Sequence, residues 1–303
     1  MRTTTPHKGN QSAFDRKALQ ALGVLMPIKL SPQKILPGRH PLGRAGDGLR
    51  FLRTRPFIQG EDNPRDIDKF SPPGERLVIE FEGEAQASVT LLADVSDSMA
   101  IPFKSSLRNA CLMQLTYSLW RSGDQVKTIF FSSEIHQEIK GANLKTQMEL
   151  LNSNLSNITS HDTTNISTVL KKYMHQVQRS VPDILFVVSD FVSLQKKDFS
   201  LDSEWRRVLN HLRHNLIPVI VTFKVPSGVR GMLNVWDPER QSRRLTWFSS
   251  SRVRKINREE KERVAALTST FRSVGLDYLI ITSQREIYPQ LAQLARNRRR
   301  RKN

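Results

Sequence analysis

From residue 86 onward, five short apolar runs alternate with longer amphipathic stretches, and this rhythm constrains the fold more than any other feature of the chain. The runs are ASVTLLAD (87–94), VKTIFFSS (126–133), DILFVVSD (183–190), IPVIVTF (217–223) and DYLIITS (277–283), each seven or eight residues long. That length suits a buried strand better than a buried helix. Helical spacings of apolar residues fall between them at 106–121, 145–155, 166–179, 204–215 and 258–273, with a last one at 284–296. Strands that are apolar throughout need cover on both faces, and the intervening helices supply it as crossovers. The pattern therefore predicts an α/β fold with a mostly parallel sheet. EIHQEIK (134–140) follows the second run too closely for a crossover, so it reads as an antiparallel edge strand completing a six-stranded sheet.

Before residue 86 the texture changes. PQKILPGRHPLGRAGDG is rich in proline, glycine and basic residues and reads as an extended arm. LRFLRTRPF and RLVIEFEGE are strand-like, predicting an appended β-hairpin layer. A second hairpin is expected within 224–251, around LNVWDPERQSRRLTWF. The organisation is thus a basic arm (1–43), the appended layer (44–85), the sheet domain (86–297) and a basic tail (298–303).

The net charge of +18 is unevenly placed. Residues 1–60 hold 11 Lys/Arg and 2 Asp/Glu, residues 252–303 hold 14 and 5, and the middle carries 22 of each. Any polyanion, anionic membrane surface or nucleic acid would therefore be met by the termini. The acidic stretch 61–84, with 8 acids and 3 bases, is expected to pair with the basic arm, and Arg65 with Asp66 and Asp68 to form an ion-pair knot. No apolar stretch approaches the ~18 residues of a membrane span, and the first residues lack the apolar block of a secretion signal, so the expected location is cytoplasmic. The single cysteine, Cys111, excludes an internal disulfide and sits on an apolar helix face.

Chemistry is expected at the carboxyl ends of the strands, where open parallel sheets bind their ligands. Two runs end on an acid, Asp94 and Asp190. If those strands are neighbours, two like charges share one crevice, and a cation is the economical way to hold them. Ser96 and Ser98 follow Asp94 at alternate positions, and Thr163 and Thr164 precede a helix beginning near Ile166. Carboxylate and hydroxyl oxygens suit a hard divalent ion, magnesium or manganese. On spacing alone the same residues are also compatible with a solvated turn or, for the threonines, with helix capping. His161 beside Asp162 reads as loop surface. A phosphatase of the haloacid-dehalogenase kind would need a general acid at position 96, where this chain has a serine that cannot transfer that proton at neutral pH.

LLADVSDSM resembles the Asp-x-Ser-x-Ser motif of von Willebrand factor A domains, whose metal-ion-dependent adhesion site also takes a threonine from a later loop and an aspartate from a later strand end. The matching positions are Asp94, Ser96, Ser98, Thr164 (with Thr163 as the alternative) and Asp190. RTRPFIQGEDNPRDIDKF resembles the signature of the bacterial family called domain of unknown function fifty-eight, keeping Gly60, Asp62, Arg65, Ile67 and Asp68 but carrying Phe57 for its tyrosine and Glu61 for its first aspartate. WDPERQSRRLTWF is similar to that family's late hairpin, without its glycine.

The resemblance implies a von Willebrand A-like, Rossmann-like domain without enzymatic activity. In such a site Ser96 and Ser98 would bind Mg2+ or Mn2+ directly, Thr164 directly or through water, and Asp94 and Asp190 mainly through water. Neutral direct ligands leave the ion short of negative charge, so it gains most from a client protein's carboxylate. The family's association with MoxR-type AAA+ ATPases implies such a partner in assembly or maturation of protein complexes. The competing reading is a nucleic-acid binder using the basic ends, against which stands the lack of an aromatic-interleaved basic platform. Attachment at the inner face of a membrane through the same ends is a further expectation.

Overall fold

The computed structural model describes residues 37–85, 87–157, 164–176, 183–192, 207–209, 215–237 and 242–300. Most of the expected 204–215 helix, His161, Asp162, Thr163, the 238–241 turn and the outermost basic ends lie outside the described residues.

The elements, in order, are β1 (Pro37–Pro56), β2 (Leu77–Ala85), β3 (Ser88–Asp94), α1 (Pro102–Arg121), β4 (Gln125–Phe131), β5 (Ile135–Ile139), α2 (Leu144–Asn157), α3 (Ile166–Gln176), β6 (Asp183–Ser189), β7 (Leu216–Val221), β8 (Gly231–Asp237), β9 (Ser242–Phe248), α4 (Ser250–Ser273), β10 (Leu279–Ile281) and α5 (Ile287–Arg300). Six strands form one sheet in the order β10-β7-β6-β3-β4-β5. Neighbouring strands run parallel except β5, which pairs antiparallel with β4 as the short 134–140 spacing requires. This is the expected von Willebrand A-like arrangement. The chain leaves β3 toward β4 and β5, then returns to pair β6 on the other side of β3. Strand order therefore reverses between β3 and β6, the place where such sheets open a ligand crevice.

Alternation along the strands divides the core in two. Val89, Leu91 and Ala93 of β3 face one layer with Leu107, Leu112 and Leu115 of α1, Leu151 of α2 and Leu291 of α5. Leu92 faces the other with Val169 and Leu170 of α3 and Leu267 and Phe271 of α4. Period-two side-chain direction thus explains why the runs are apolar throughout: both faces are covered. Cys111 lies in the first layer, fully buried, and burial pushes its thiol up to about 12.

Local signals set the helix ends. Pro102 opens α1, where its missing N–H is no loss. Gly123 follows α1 with φ 89°, and Asp124 then accepts from the N–H of Ala87, joining the starts of β3 and β4. Helix α4 begins at Ser250, earlier than the apolar spacing from 258 indicates, because the Ser249 hydroxyl accepts from the N–H of Arg252 and caps it. Its first turns are mostly polar and carry no amphipathic period to read.

β1 and β2 pair antiparallel outside the main sheet, and β1 begins at Pro37, reaching back before position 44. The ion-pair knot in this layer centres on Arg55, not Arg65. Arg55 makes a two-pronged contact with Asp62 at 2.7 and 2.6 Å and reaches Glu80 at 2.6 Å, and Arg53 pairs with Glu80 as well. Asp68 caps a turn through the N–H of Phe70. Among the described residues, the acids of this stretch thus pair with Arg53 and Arg55 of the layer itself, rather than with the basic arm at 1–43. These guanidinium contacts hold the Asp62 and Glu80 carboxyls below their ordinary values. Their contribution is present above the ordinary carboxylate range and is lost as pH falls through the lowered values. Amide exchange in Leu77–Ala85 is therefore expected to rise on strong acidification before that of Ser88–Asp94; simultaneous loss of protection would contradict it.

β8 and β9 form the second expected hairpin. Met232 lies opposite Trp247, and Leu245 shares their face; all three are exposed. No helix among the described residues is long and apolar enough to cross a membrane.

Candidate functional site

Asp94 ends β3 and Asp190 directly follows β6, so the two acids stand side by side at the sheet's rim because their strands are hydrogen-bonded neighbours. Both are buried, at 0 % and 1 % exposure.

The Asp94 carboxylate collects uncharged donors. The Ser96 N–H donates to Oδ1 at 2.9 Å, the Ser189 hydroxyl to Oδ2 at 2.5 Å, and the Thr164 hydroxyl lies 3.3 Å from both oxygens. Among the described residues no charged side chain bonds to this carboxylate. Burial pushes the acid up to about 6, the nearby charge of Asp190 adds to the rise, and hydrogen bonds from Ser189 and Ser96 oppose it. It is an anion held in low dielectric with no charged side chain bonded to its carboxylate, and the Arg108 guanidinium attracts it only through space.

The serines and Thr164 are not caps. Ser96 stands before a short 3-10 turn (Asp97–Met99) but makes no side-chain cap bond; its hydroxyl lies 3.2 Å from that of Ser98. At the start of α3 the capping is done by Asn165, whose Oδ1 accepts from the N–H of Thr168 at 3.1 Å. Thr164 is thereby left free to turn toward Asp94, 70 positions earlier in the chain. The N–H of Asn165 donates to the carbonyl of Ser132 after β4, which fixes the loop at this rim.

Asp190 is held differently. Its Oδ2 accepts from Lys104 Nζ at 2.6 Å, its Oδ1 from the N–H of Val192 at 3.2 Å, and its carbonyl from Arg263 at 2.7 Å. Lys104 is itself buried and lies 5.5 Å from the centre of the Phe223 ring. Arg108, one turn further along α1, donates to the Asp94 carbonyl at 3.0 Å, and burial lowers its pKa to about 10. Phe191 has φ 56°, a left-handed conformation costly for an aromatic residue. Its N–H donates to the same Ser189 hydroxyl that serves Asp94, and its ring packs edge-on against Phe271.

The structure therefore brings Asp94, Ser96, Ser98, Thr164 and Asp190 to one rim. It adds three basic residues that the sequence reading missed, Lys104, Arg108 and Arg263. Their signal was present: Lys104 and Arg108 share the stripe of α1 that continues through Leu107 and Cys111, and Arg263 shares that of Leu267 and Phe271 on α4. A basic residue inside a buried stripe needs a buried partner.

The donor set fits a hard divalent ion at Asp94, Ser96, Ser98 and Thr164, which offer only oxygens. Asp190 is already engaged by an ammonium. No cluster of three or more histidine, cysteine or acidic groups suited to a metal occurs among the described residues, so any ion here would rely on hydroxyls.

The profile of a family described as "Protein of unknown function DUF58" matches residues 54–266. No curated protein matches the sequence. Among solved structures, the chain is similar to BatB from Bacteroides thetaiotaomicron (14% identity, TM-score 0.41, covering 69% of this chain and 99% of that one). It is also similar to an aerotolerance-related membrane protein from Bacteroides fragilis (13%, TM-score 0.40, 70% and 99%). A von Willebrand factor type A protein from Catenulispora acidiphila matches with 10% identity and TM-score 0.39, covering 73% of this chain and 45% of that one.

Proposed function

The chain belongs to the DUF58 family, and from that premise we propose that it is a non-enzymatic adaptor that docks an acidic side chain of a client protein through a divalent ion at the sheet's rim. The observation that carries this reading is the Thr164 hydroxyl: drawn from a distant loop onto both oxygens of Asp94, it is released from capping by Asn165. A turn or a cap has no use for that convergence. When bound, Mg2+ or Mn2+ would supply a position for one incoming carboxylate. Ser96, Ser98 and Thr164 would hold the ion without neutralising it, and Asp94 would balance part of its charge through the same hydroxyl network.

A von Willebrand A-like domain of this family is suited to protein interaction, and the exposed face of Met232, Leu245 and Trp247 offers apolar contact area beyond the site. We assign the working partner to a MoxR-type AAA+ ATPase, in assembly or maturation of complexes, and the location to the cytoplasm or the inner face of a membrane reached through the basic ends.

Mg2+ or Mn2+ at 100 times the dissociation constant is expected to stabilise the protein by about 2.7 kcal/mol. Thr164→Val should lose most of that gain while melting normally in chelator. A wild-type protein whose melting temperature is indifferent to both ions at millimolar concentration would exclude this reading. Co-purification with a MoxR-type ATPase should weaken in Ser96→Ala; an unchanged complex would place docking elsewhere.

A further inference from the structure

We infer that Lys104 is a built-in competitor for the ion: it occupies Asp190, fastens the rim in the ion's absence, and weakens divalent-cation binding for as long as it holds that carboxylate. The inference rests on reading this rim as a cation-dependent docking site.

Lys104 is an unusual residue for its place. It lies in the first turn of α1, on a buried stripe that it shares with the apolar Leu107 and Cys111 and with Arg108. An ammonium there is expensive to bury, and it is matched to one acceptor, Asp190 Oδ2 at 2.6 Å, with both side chains almost fully enclosed. Arg108 ties the next turn of α1 to the Asp94 carbonyl. The start of α1 is thus clamped to the ends of both β3 and β6, and the clamp needs no metal.

The clamp also changes the charge offered to an ion. Two ionised carboxylates would present two negative charges to the pocket, but Lys104 bonds and cancels that of Asp190, while the Asp94 carboxylate has no bonded cation and feels Arg108 only through space. An ion held by Asp94, Ser96, Ser98 and Thr164 that also used Asp190 would have to share that carboxylate with an ammonium already bonded to its Oδ2. Like charges a few ångströms apart at a partly buried site repel strongly enough to alter affinity by an order of magnitude or more. Occupancy then favours the moment when an acidic side chain from outside adds the missing negative charge. Lys104 makes the rim a site that keeps its shape empty and fills in company with its partner.

The test is calorimetric titration of Mn2+ into the full chain as wild type, Lys104→Met and Lys104→Gln. The glutamine variant guards against misfolding, since its amide still donates to Asp190 without a charge. Both variants are expected to bind Mn2+ roughly tenfold tighter than wild type, while melting lower in chelator. Equal or weaker binding in folded variants, with wild type still binding, would overturn the competitor role and leave the docking site standing; a merely structural lysine gives that outcome. If neither wild type nor folded variants bind Mn2+, the cation reading fails, and this inference fails with it.

Discussion

Asp94→Asn is expected to melt higher than the wild-type protein in chelator at pH 7.5, by about 1–2 kcal/mol of stability. Burial and the neighbouring charge of Asp190 push the acid up to about 6, and the neutral donors around it only partly oppose that rise. Its folded value exceeds the ordinary 3.8, so the fold favours the protonated form. The stability this group contributes is fully present below 3.8 and is lost as pH rises through about 6. Asparagine cannot ionise and escapes the loss, although it forfeits part of the hydrogen-bond geometry, and for that reason the gain falls short of the full shift. The gap between variant and wild type should be small near pH 4, widen as pH rises from 3.8 to about 6, and level off above that. Adding Mg2+ should reverse the ranking at pH 7.5, because only the carboxylate profits from the ion. Thermal melts at the two pH values, with and without Mg2+, check it. A variant less stable than wild type in chelator at pH 7.5 would mean that the hydrogen bonds outweigh the buried charge.

What could be read in the sequence followed from the period of its strands. The runs at 87–94 and 183–190 end on Asp94 and Asp190, and the short spacing after 126–133 forces an antiparallel neighbour; both features are local and both are found. Thr164 was legible only through the resemblance to the von Willebrand A motif, because on spacing alone it reads equally as a helix cap, a role the fold gives to Asn165. Lys104 was harder to place because its partner is 86 positions away, and an apolar spacing rule says nothing about which acid a basic residue will meet. The interruption of the α1 stripe by Lys104 and Arg108 was visible nonetheless. Arg65 was read as the centre of the hairpin's ion pairs because acids flank it in sequence. Arg55 takes that role because antiparallel pairing of β1 with β2 sets it within reach of Glu80, a proximity that exists only in three dimensions.

Asp190→Ala should act in the opposite sense to Asp94→Asn, destabilising the protein by about 3–5 kcal/mol, the usual penalty for stranding a buried charge. The loss would come less from a favourable bond than from Lys104, left with an enclosed ammonium and no acceptor. The Val192 N–H, at a more exposed position, can turn to water, and the Arg263 contact to the Asp190 carbonyl survives the substitution. Asp190→Asn should therefore cost less, since its amide oxygen still accepts from Lys104. Pairing Asp190→Leu with Lys104→Met should recover most of the loss, because well-packed apolar residues can replace a buried ion pair at little net cost. Chemical denaturation of the two single variants and the double measures the coupling, and additive losses would show that the pair is not the source of the effect. The two acids of one rim thus respond to removal with opposite signs. The difference is the bonded cation: the Asp190 carboxylate holds Lys104, while that of Asp94 has hydroxyl and backbone donors and feels Arg108 only through space. Asp94 is the group whose charge is left open, and the Ser96, Ser98 and Thr164 oxygens gather around that acid rather than around Asp190.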